Sequence, residues 1–518
     1  MDGSTGTSPR AGFVAGALAA STGVLTLLLL RILAGGPSLP ELVQEGIVQL
    51  LPGALFSSLL DQLRFSGKPL LFGSIVVGML VVGGAVGSWY GRRPRTPSAA
   101  AWLGLALYLA IGLLLLPLLA AGPFAVGRPA EAPVWLTSLI ATAVFVAILH
   151  ALTRSAPAST PDLERRRVLR LAGGGLALGA FGLVGWRAVA LGGPGQTASA
   201  PPTPSAPTDS AVGPPRASPS SGDEHVTPAI TPVGTFYNVS KNFIDPTVKL
   251  DGWSLSIGGM VEQPLTLAYE DLKALPSVEQ PATLCCISNE VGGDLIGNAV
   301  WKGVRLADLL ATARVKPGAV KAAFQCRDDY RDSIVLERAL NPGTLLAYEM
   351  NGAPLTEKHG FPLRLIVPGI YGMKNVKWLE KIDLVPDDFK GFWQKQGWSD
   401  PAPYQTTSRI DAPSQGQRPR PSPAIVQGVA FAGDRGITRV EVSGDGGQSW
   451  REARLLPAMG PFTWVRWTID WPLTPGAQAA FKVRATDGTG ALQTEESTPP
   501  FPDGATGWHT VSVRALDA

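Results

Sequence analysis

Cysteine, histidine and charge are all scarce in this chain, and each shortage removes a class of protein. Only three cysteines, Cys285, Cys286 and Cys326, occur in 518 residues. A small secreted disulfide scaffold carries more of them and in even number, so at least one thiol stays unpaired within the chain. A free thiol in an oxidising compartment is either buried and inert or held by a metal. There are four histidines, and of these only His150 falls in a long apolar run. A membrane b-type haem takes two axial histidines, and neither a CxxCH attachment motif nor a flavin fingerprint is present, so no haem or flavin is expected. Charged residues make up 16% of the chain and the net charge is +3. The basic residues flank apolar runs rather than lining a soluble face, which leaves no case for nucleic acid.

What the chain does have is apolar length. Runs nearly free of charge cover Ala11–Leu33, Leu70–Tyr90, Ala101–Gly122, Val134–Leu152 and Val168–Leu191, each close to the ~20 residues a helix needs to cross a bilayer. They predict an all-α transmembrane domain of five helices over residues 1–192, embedded in membrane lipid. Arg92, Arg93 and Arg95 follow the second run, and Arg154, Arg165, Arg166, Arg167 and Arg170 lie between the fourth and fifth. The other connections hold only Arg64, Lys68 and Arg128, so the positive-inside rule places the Arg-rich loops in the cytoplasm. Everything after Leu191 is then extracytoplasmic, on a multi-pass protein of the cell membrane. The stretch Glu41–Phe65 reads as amphipathic and suited to the outer membrane surface.

Residues 193–232 are rich in Pro, Ser and Ala and form a linker that cannot bury enough apolar surface to fold. Residues 233–413 mix short alternating strands, such as those at Trp253–Ile257 and Leu363–Val367, with the amphipathic helix Val304–Ala313, an α+β pattern. Residues 414–518 alternate strand-length runs with turns and show no helical period, which predicts an Ig-like β-sandwich. In its VEVSGDGGQSW hairpin, Asp445 is expected to satisfy turn geometry and Trp450 to be core.

The chemistry concentrates in two places. Thr283–Asn289 is a short apolar strand that ends in the pair Cys285–Cys286 and runs into Gly292 and Gly293. A thiolate at a strand end beside glycines suits a soft or intermediate metal, although adjacent cysteines are more often simple core residues. The run HGFPLRLIVPG from His359, continuing through Asn375, Val376 and Lys377, sets His, Arg and Lys among strands and Gly/Pro turns. That arrangement grips an anionic, hydrogen-bonding cofactor, or else supplies a cap and a surface ion pair.

The order Cys-x-x-Asn, LLAYEMNG, HGFPLRLIVPG and NVKWL resembles the molybdopterin-binding domain of the sulfite oxidase family, and the last hundred residues resemble that family's dimerisation domain. The resemblance implies a molybdenum–molybdopterin cofactor with Cys286 as the metal ligand. It implies pterin contacts from Asp328, His359, Arg364, Asn375, Val376 and Lys377, with Asn238, Ser240, Lys241 and Asn242 contributing. It implies two-electron oxygen-atom transfer with a separate electron carrier, and a homodimer through the C-terminal domain. Two departures bear on the substrate. Family members that oxidise sulfite carry an arginine in the segment matching Val239–Asn242 and a tyrosine after the segment matching Gly391–Gly397; here Ser240 and Trp398 stand in those places, and Lys241 is the nearby cation. Losing a bidentate anion donor and a phenolic hydroxyl argues against sulfite itself. The remaining readings are transfer to or from another oxyanion, reduction of a sulfoxide, and a surface-binding module whose cofactor site has decayed.

Glu164–Arg170, before the fifth run, fits both a twin-arginine export signal and an ordinary positive flank. Export of a folded, cofactor-loaded domain favours the signal.

Overall fold

The computed structural model describes residues 7–34, 37–51, 55, 67–93, 96–119, 121–126, 134–154, 226–242, 244–420 and 423–517. The expected fifth helix Val168–Leu191, the arginine-rich run before it and most of the linker lie outside these residues.

Four helices are long and apolar enough to cross a membrane: Pro9–Ile32, Pro69–Tyr90, Pro97–Leu118 and Val134–Arg154. They belong to α1 (Pro9–Ala34), α3 (Gly67–Tyr90), α4 (Pro97–Ala110, prolonged by a π-helical turn at Ile111–Leu115) and α5 (Val134–Arg154), with the short α2 (Leu39–Leu50) between α1 and α3. Lipid is as apolar as leucine, so helices associate in it through close packing of small residues. Gly12 and Gly16 of α1 therefore meet Gly87 and Gly83 of the antiparallel α3, and a Cβ at Gly16 would collide with the Gly83 carbonyl. Thr96 caps α4 by accepting the Ala99 N–H at 3.1 Å, with Pro97 as the first helical residue. Pro117 has no N–H to donate, and the turn before it widens so that Leu116 N–H reaches Ile111.

The ends of these helices sort into two faces. On one, Thr7 N–H bonds Gly91 O at 3.1 Å and Tyr90 Oη meets His150 Nδ1 at 2.7 Å, which gathers the N-terminus of α1 with the C-terminal ends of α3 and α5. The opposite face is closed by Leu27, Leu39, Leu42, Leu116 and Val134 in one apolar cluster, so α2 packs across that end of the bundle. Glu41, in its first turn, accepts from both the N–H and the hydroxyl of Ser38 at 2.7 Å. Of the stretch expected to be amphipathic, the part up to Leu50 is this helix, and nearly all of the rest lies outside the described residues.

The next unit contains β1 (Ser254–Gly259), β2 (Leu265–Ala268), β3 (Val278–Cys285), β4 (Ile296–Arg305), α6 (Leu306–Ala313), β5 (Lys321–Cys326), β6 (Arg331–Val335), β7 (Leu345–Met350), β8 (Ala353–Pro354), β9 (Arg364–Ile366) and β10 (Leu379–Val385). One sheet runs β2-β1-β10-β5-β6, and the other runs β3-β4-β7-β8 with β9 on β7. Only β1 and β10 pair in parallel; every other pairing in these two sheets is antiparallel. Leu255, Ile257, Phe324, Leu346, Leu365 and Leu379 fill the core they share. The helix expected over Val304–Ala313 begins at Leu306, because Val304 and Arg305 still belong to β4. Its Leu306, Leu309, Leu310 and Ala313 are buried at the three- and four-residue spacing that puts them on one face.

The C-terminal unit has β11 (Thr407–Ala412), β12 (Ala424–Phe431), β13 (Ile437–Ser443), β14 (Arg451–Glu452), β15 (Arg454–Leu455), β16 (Val465–Trp471), β17 (Gln478–Asp487) and β18 (His509–Arg514). They form two four-stranded sheets, β11-β12-β16-β15 and β14-β13-β17-β18, which share a core of Val440, Val442, Trp467, Phe481 and Val483. Asp445 takes the turn role expected of it, accepting the N–H groups of Gln448 and Ser449. Trp450 does not enter the core. It is half-buried between Trp508 and the Arg484 guanidinium, 4.0 Å from its ring, because it leads into β14, a two-residue exposed strand at the edge of its sheet.

Candidate active site

The centre of the site is the end of β3. Successive residues on a strand face opposite ways, and the two cysteines part accordingly. Cys285 joins an aromatic cluster with Tyr371, Trp398, Tyr404, Phe431 and Trp464, and its N–H donates to Tyr404 Oη at 3.3 Å. Burial, reinforced by the neighbouring Cys286, pushes the Cys285 thiol well above the usual range, so it stays protonated. Cys286, just past the strand, is held by its N–H on Leu295 O at 2.9 Å, and its Sγ lies 3.1 Å from Ser288 Oγ. Asn289 closes the turn: its N–H donates to Cys286 O at 3.0 Å and its Oδ1 accepts Leu295 N–H at 2.8 Å.

Tyr237 arrives from a segment that precedes the first sheet. It is raised well above the ordinary tyrosine range by burial first and by Cys286 second, with Arg364 opposing. A Cβ at Gly372 would sit 2.5 Å from its hydroxyl and 3.1 Å from Cys285 O, so only glycine lets that hydroxyl reach the cysteine pair. Nothing in the composition of the segment had marked Tyr237, although Asn238 beside it had been.

Arg364, at the start of β9, is 5% exposed. Its Nη1 and Nη2 donate to the carbonyls of His359 and Asn375 at 3.2 and 3.3 Å, the guanidinium lies 4.8 Å from the Trp301 ring, and Nε is buried with no partner. It has no carboxylate partner among the described residues, and burial brings its pKa down to about 10. A guanidinium kept in the interior without a counter-ion is costly unless an anion arrives. His359 is likewise buried; its Nε2 meets Val233 O at 3.0 Å and burial lowers it to about 4. It is neutral at working pH, with Nε2 as the donor and Nδ1 left as an acceptor.

The other residues singled out from the sequence fall into two groups. Lys377 Nζ donates to Asn238 Oδ1 at 2.6 Å, and Asn242 Nδ2 to Asp328 Oδ2 at 2.8 Å, which draws Asn238, Asn242, Asp328 and Lys377 to one rim. Burial raises Asp328, and Lys241 and Asn242 counteract it. Ser240 instead turns its hydroxyl to Asp245 at 2.6 Å, and Lys241 pairs with Glu45 of α2 at 3.3 Å. Asn375 spends its amide on the backbone of Val367, Ile370 and Tyr371, so it shapes the loop. Val376 is core. Trp398 packs edge-on to Phe501 in the cluster of Cys285, with its buried Nε1 unpartnered.

One feature sequence reasoning missed is the ionic girder under this loop. Lys374, 1% exposed, bonds Asp332 Oδ1 at 2.7 Å, Ser333 O at 3.0 Å and Asp400 Oδ1 at 2.9 Å. Lys321 and Lys390 also reach Asp400. Burial works against the Asp400 carboxylate, yet the hydrogen bonds from these lysines hold it well below the usual range. Charges this far apart in sequence leave no local pattern to read.

Comparison with known proteins meets this geometry. Residues 242–393 match the family described as the oxidoreductase molybdopterin binding domain, and residues 404–515 the Mo-co oxidoreductase dimerisation domain. A sulfite oxidase of Arabidopsis thaliana is 35% identical over 277 residues, 44% of this chain and 70% of that one. The mitochondrial sulfite oxidase of Homo sapiens is 32% identical over 295 residues, 48% of this chain and 54% of that one, so the chain spans about half the length of the human relative. An uncharacterized oxidoreductase of Bacillus subtilis, YuiH, is 36% identical over 146 residues, 28% of this chain and 72% of that one. A buried cysteine at a strand end, a buried arginine without a counter-ion among the described residues and these matches over the two units that follow the helices lead to one assignment: the chain is an oxidoreductase and belongs to the sulfite oxidase family of molybdopterin proteins.

Proposed function

We propose that this is a membrane-anchored molybdenum–pterin oxidoreductase that transfers an oxygen atom on an extracytoplasmic substrate. The observation that carries the reading is the pairing of Cys286, its Sγ beside the Ser288 hydroxyl, with the buried, counter-ion-free Arg364. The donor set fits the group that the family binds. Cys286 would ligate the metal as thiolate, and Ser288 would donate to its sulfur and tune it. Arg364 and Lys377 would hold the pterin phosphate, and His359, neutral, would present Nδ1 as an acceptor to a ring N–H. Asn238, Asn242 and Asp328 would close the rim. When bound, the cofactor supplies the two-electron couple and the oxygen exchange. Tyr237, half-buried and held protonated beside Cys286, would offer its O–H to the substrate oxygen as a donor that stays neutral throughout.

For the substrate, Ser240 is engaged with Asp245 and Lys241 with Glu45, so neither stands in as a free anion clamp. The setting of Trp398, a single unpaired N–H in an aromatic wall, favours a second reading in which a sulfoxide-type substrate with one acceptor oxygen is reduced.

The two faces of the helix bundle support the orientation. Arg10, Arg92, Arg93 and Arg154 gather at the face of Gly91 and His150, which the positive-inside rule makes cytoplasmic. The catalytic unit meets the opposite face, where Arg31 donates to Ile244 O at 3.1 Å. Chain leaving Arg154 on one face must cross once more to reach Ile244 on the other, and Val168–Leu191 is the apolar run of spanning length in between. Residues 193–232 then act as a linker, 233–413 as the catalytic domain and 414–518 as an Ig-like dimerisation unit.

The test is the molybdenum and pterin content of the full-length protein beside Cys286→Ser, both produced in a host that makes the cofactor. About one metal per chain in the parent, with loss of metal and of redox activity in the variant, is the expected result. Folded parent protein with neither metal nor pterin would sink the reading.

A further inference from the structure

One segment of chain, from Val233 to Asp245, ties the membrane helices to the proposed cofactor site. Val233 O meets His359 Nε2. Phe236 stands edge-on to both Trp301 and His359, with ring centres 5.9 and 5.6 Å apart. Tyr237 reaches the cysteine pair, and Asn238 and Asn242 hold Lys377 and Asp328 across the rim. The far end of the same strap belongs to the membrane domain. Lys241, with 4% of its side chain exposed, pairs with Glu45, and Ile244 O accepts from Arg31, whose guanidinium also grips Glu41 at 3.2 Å. Two independent contacts on α1 and α2 thus fix a segment whose near side chains line the site.

Resting on the cofactor reading above, we infer that Glu45 and Arg31 are positioning residues: the membrane domain clamps the strap shut over the pterin rim, so the helices act as part of the catalytic unit and not only as its anchor. Glu45 acts through Lys241 and Arg31 through the Ile244 carbonyl, and neither touches the reacting atoms. A largely buried ion pair that loses one partner leaves the other charge uncompensated. A strap released at this end would free Asn238 and Asn242 to leave Lys377 and Asp328, open the part-buried Asn242–Asp328 bond to water and let the cofactor escape faster.

The test uses the full-length protein in membranes and compares Glu45→Lys, Lys241→Glu and the two together, reading molybdenum and pterin retained during dialysis. Each single variant is expected to lose cofactor roughly tenfold faster or more, and the swapped pair to recover most of the loss. Singles that retain cofactor like the parent, or a swap no better than the worse single, would overturn the clamp. A second readout does not depend on the cofactor. Glu45→Cys with Lys241→Cys shortens both side chains and opens their contact, so the pair can be joined by a short bismaleimide in intact membranes, with each single-cysteine variant as the control for the native cysteines. Cross-linking supports the docking even if the parent holds no molybdenum, an outcome that defeats only the cofactor reading; absence of cross-linking defeats the clamp itself.

Discussion

Replacing Lys374 with methionine isolates the ionic girder beneath the site. The substitution keeps the length and apolar stem of the side chain and removes the ammonium that bonds Asp332, Ser333 O and Asp400. Asp400 retains Lys321 and Lys390, so little of the cost falls there. Asp332 is 0% exposed and among the described residues keeps the Tyr330 hydroxyl at 2.8 Å and the Ser333 N–H at 2.8 Å. An uncompensated buried charge costs about 3–5 kcal/mol, and the two neutral donors reduce this by about 1 kcal/mol each, which leaves a loss of about 1–3 kcal/mol. Burial raises the Asp332 carboxyl while Lys374 opposes that rise, so without the lysine it rises further and the group takes up a proton more readily. The folded state of the variant then binds a proton that the unfolded chain releases, and the deficit is largest at neutral pH and shrinks as pH falls. Asp332→Asn combined with Lys374→Met should recover most of the loss. The assay is equilibrium denaturant unfolding of the full chain in detergent, followed by tryptophan fluorescence at neutral and mildly acidic pH. A loss under about 1 kcal/mol, or one that does not depend on pH, would refute the reasoning.

Two further outcomes follow from particular contacts. Burial moves His359 from its ordinary 6.5 to about 4, so the unfolded chain binds the extra proton between these values. Stability contributed by the neutral ring is full above about 6.5, falls with pH and is gone below about 4, a contribution on the order of 2–3 kcal/mol. His359→Gln in cofactor-free protein should flatten the unfolding free energy across that window, and an unchanged slope would contradict the burial argument. In the membrane domain, Gly16→Leu forces α1 away from the Gly83 carbonyl. It should destabilise the bundle by about 1–3 kcal/mol, seen as a lower detergent-denaturation midpoint, whereas Gly78→Leu, with nothing within 4 Å of its Cβ, should be neutral; equal effects at the two positions would refute the packing.

Much of this molecule is legible in the sequence because its signals are local. Apolar length marks the spans, alternation marks the strands, and the three- and four-residue spacing of Leu306, Leu309 and Leu310 marks α6. The site is legible in part. Cys286, Arg364, His359 and Lys377 sit in short runs whose composition suggests their chemistry. Tyr237 and Lys374 were not found, since each acts only through residues distant in sequence: Tyr237 through a gap that Gly372 opens, Lys374 through Asp332 and Asp400. Asn375 is marked by its motif, but that its amide bonds the backbone of Val367, Ile370 and Tyr371 is visible only in the fold. Trp450 was expected in the core, but it leads into the short exposed edge strand β14 and stacks at the surface with Arg484 and Trp508.

The helical domain poses a question that sequence alone leaves open, because a tether needs one helix and the described residues hold four that are long and apolar enough to cross a membrane. Anchoring explains a single span. It does not explain why α2 lies across the end of the bundle, why Glu41 should be fixed by both Ser38 and Arg31, or why that arginine also reaches Ile244. Each of these contacts stiffens the platform on which the strap rests. A single helix has no lateral support and would pivot, whereas α1 is locked to α3 by glycine contacts too close to slide. Rigidity at Glu45 is then delivered eight residues up the chain from its partner Lys241, where Val233 O meets His359, through a segment pinned at both ends. The same logic predicts which substitutions uncouple the two halves: those in α2 facing the strap should alter cofactor retention, and those on the lipid-facing side of α3 should alter neither retention nor activity.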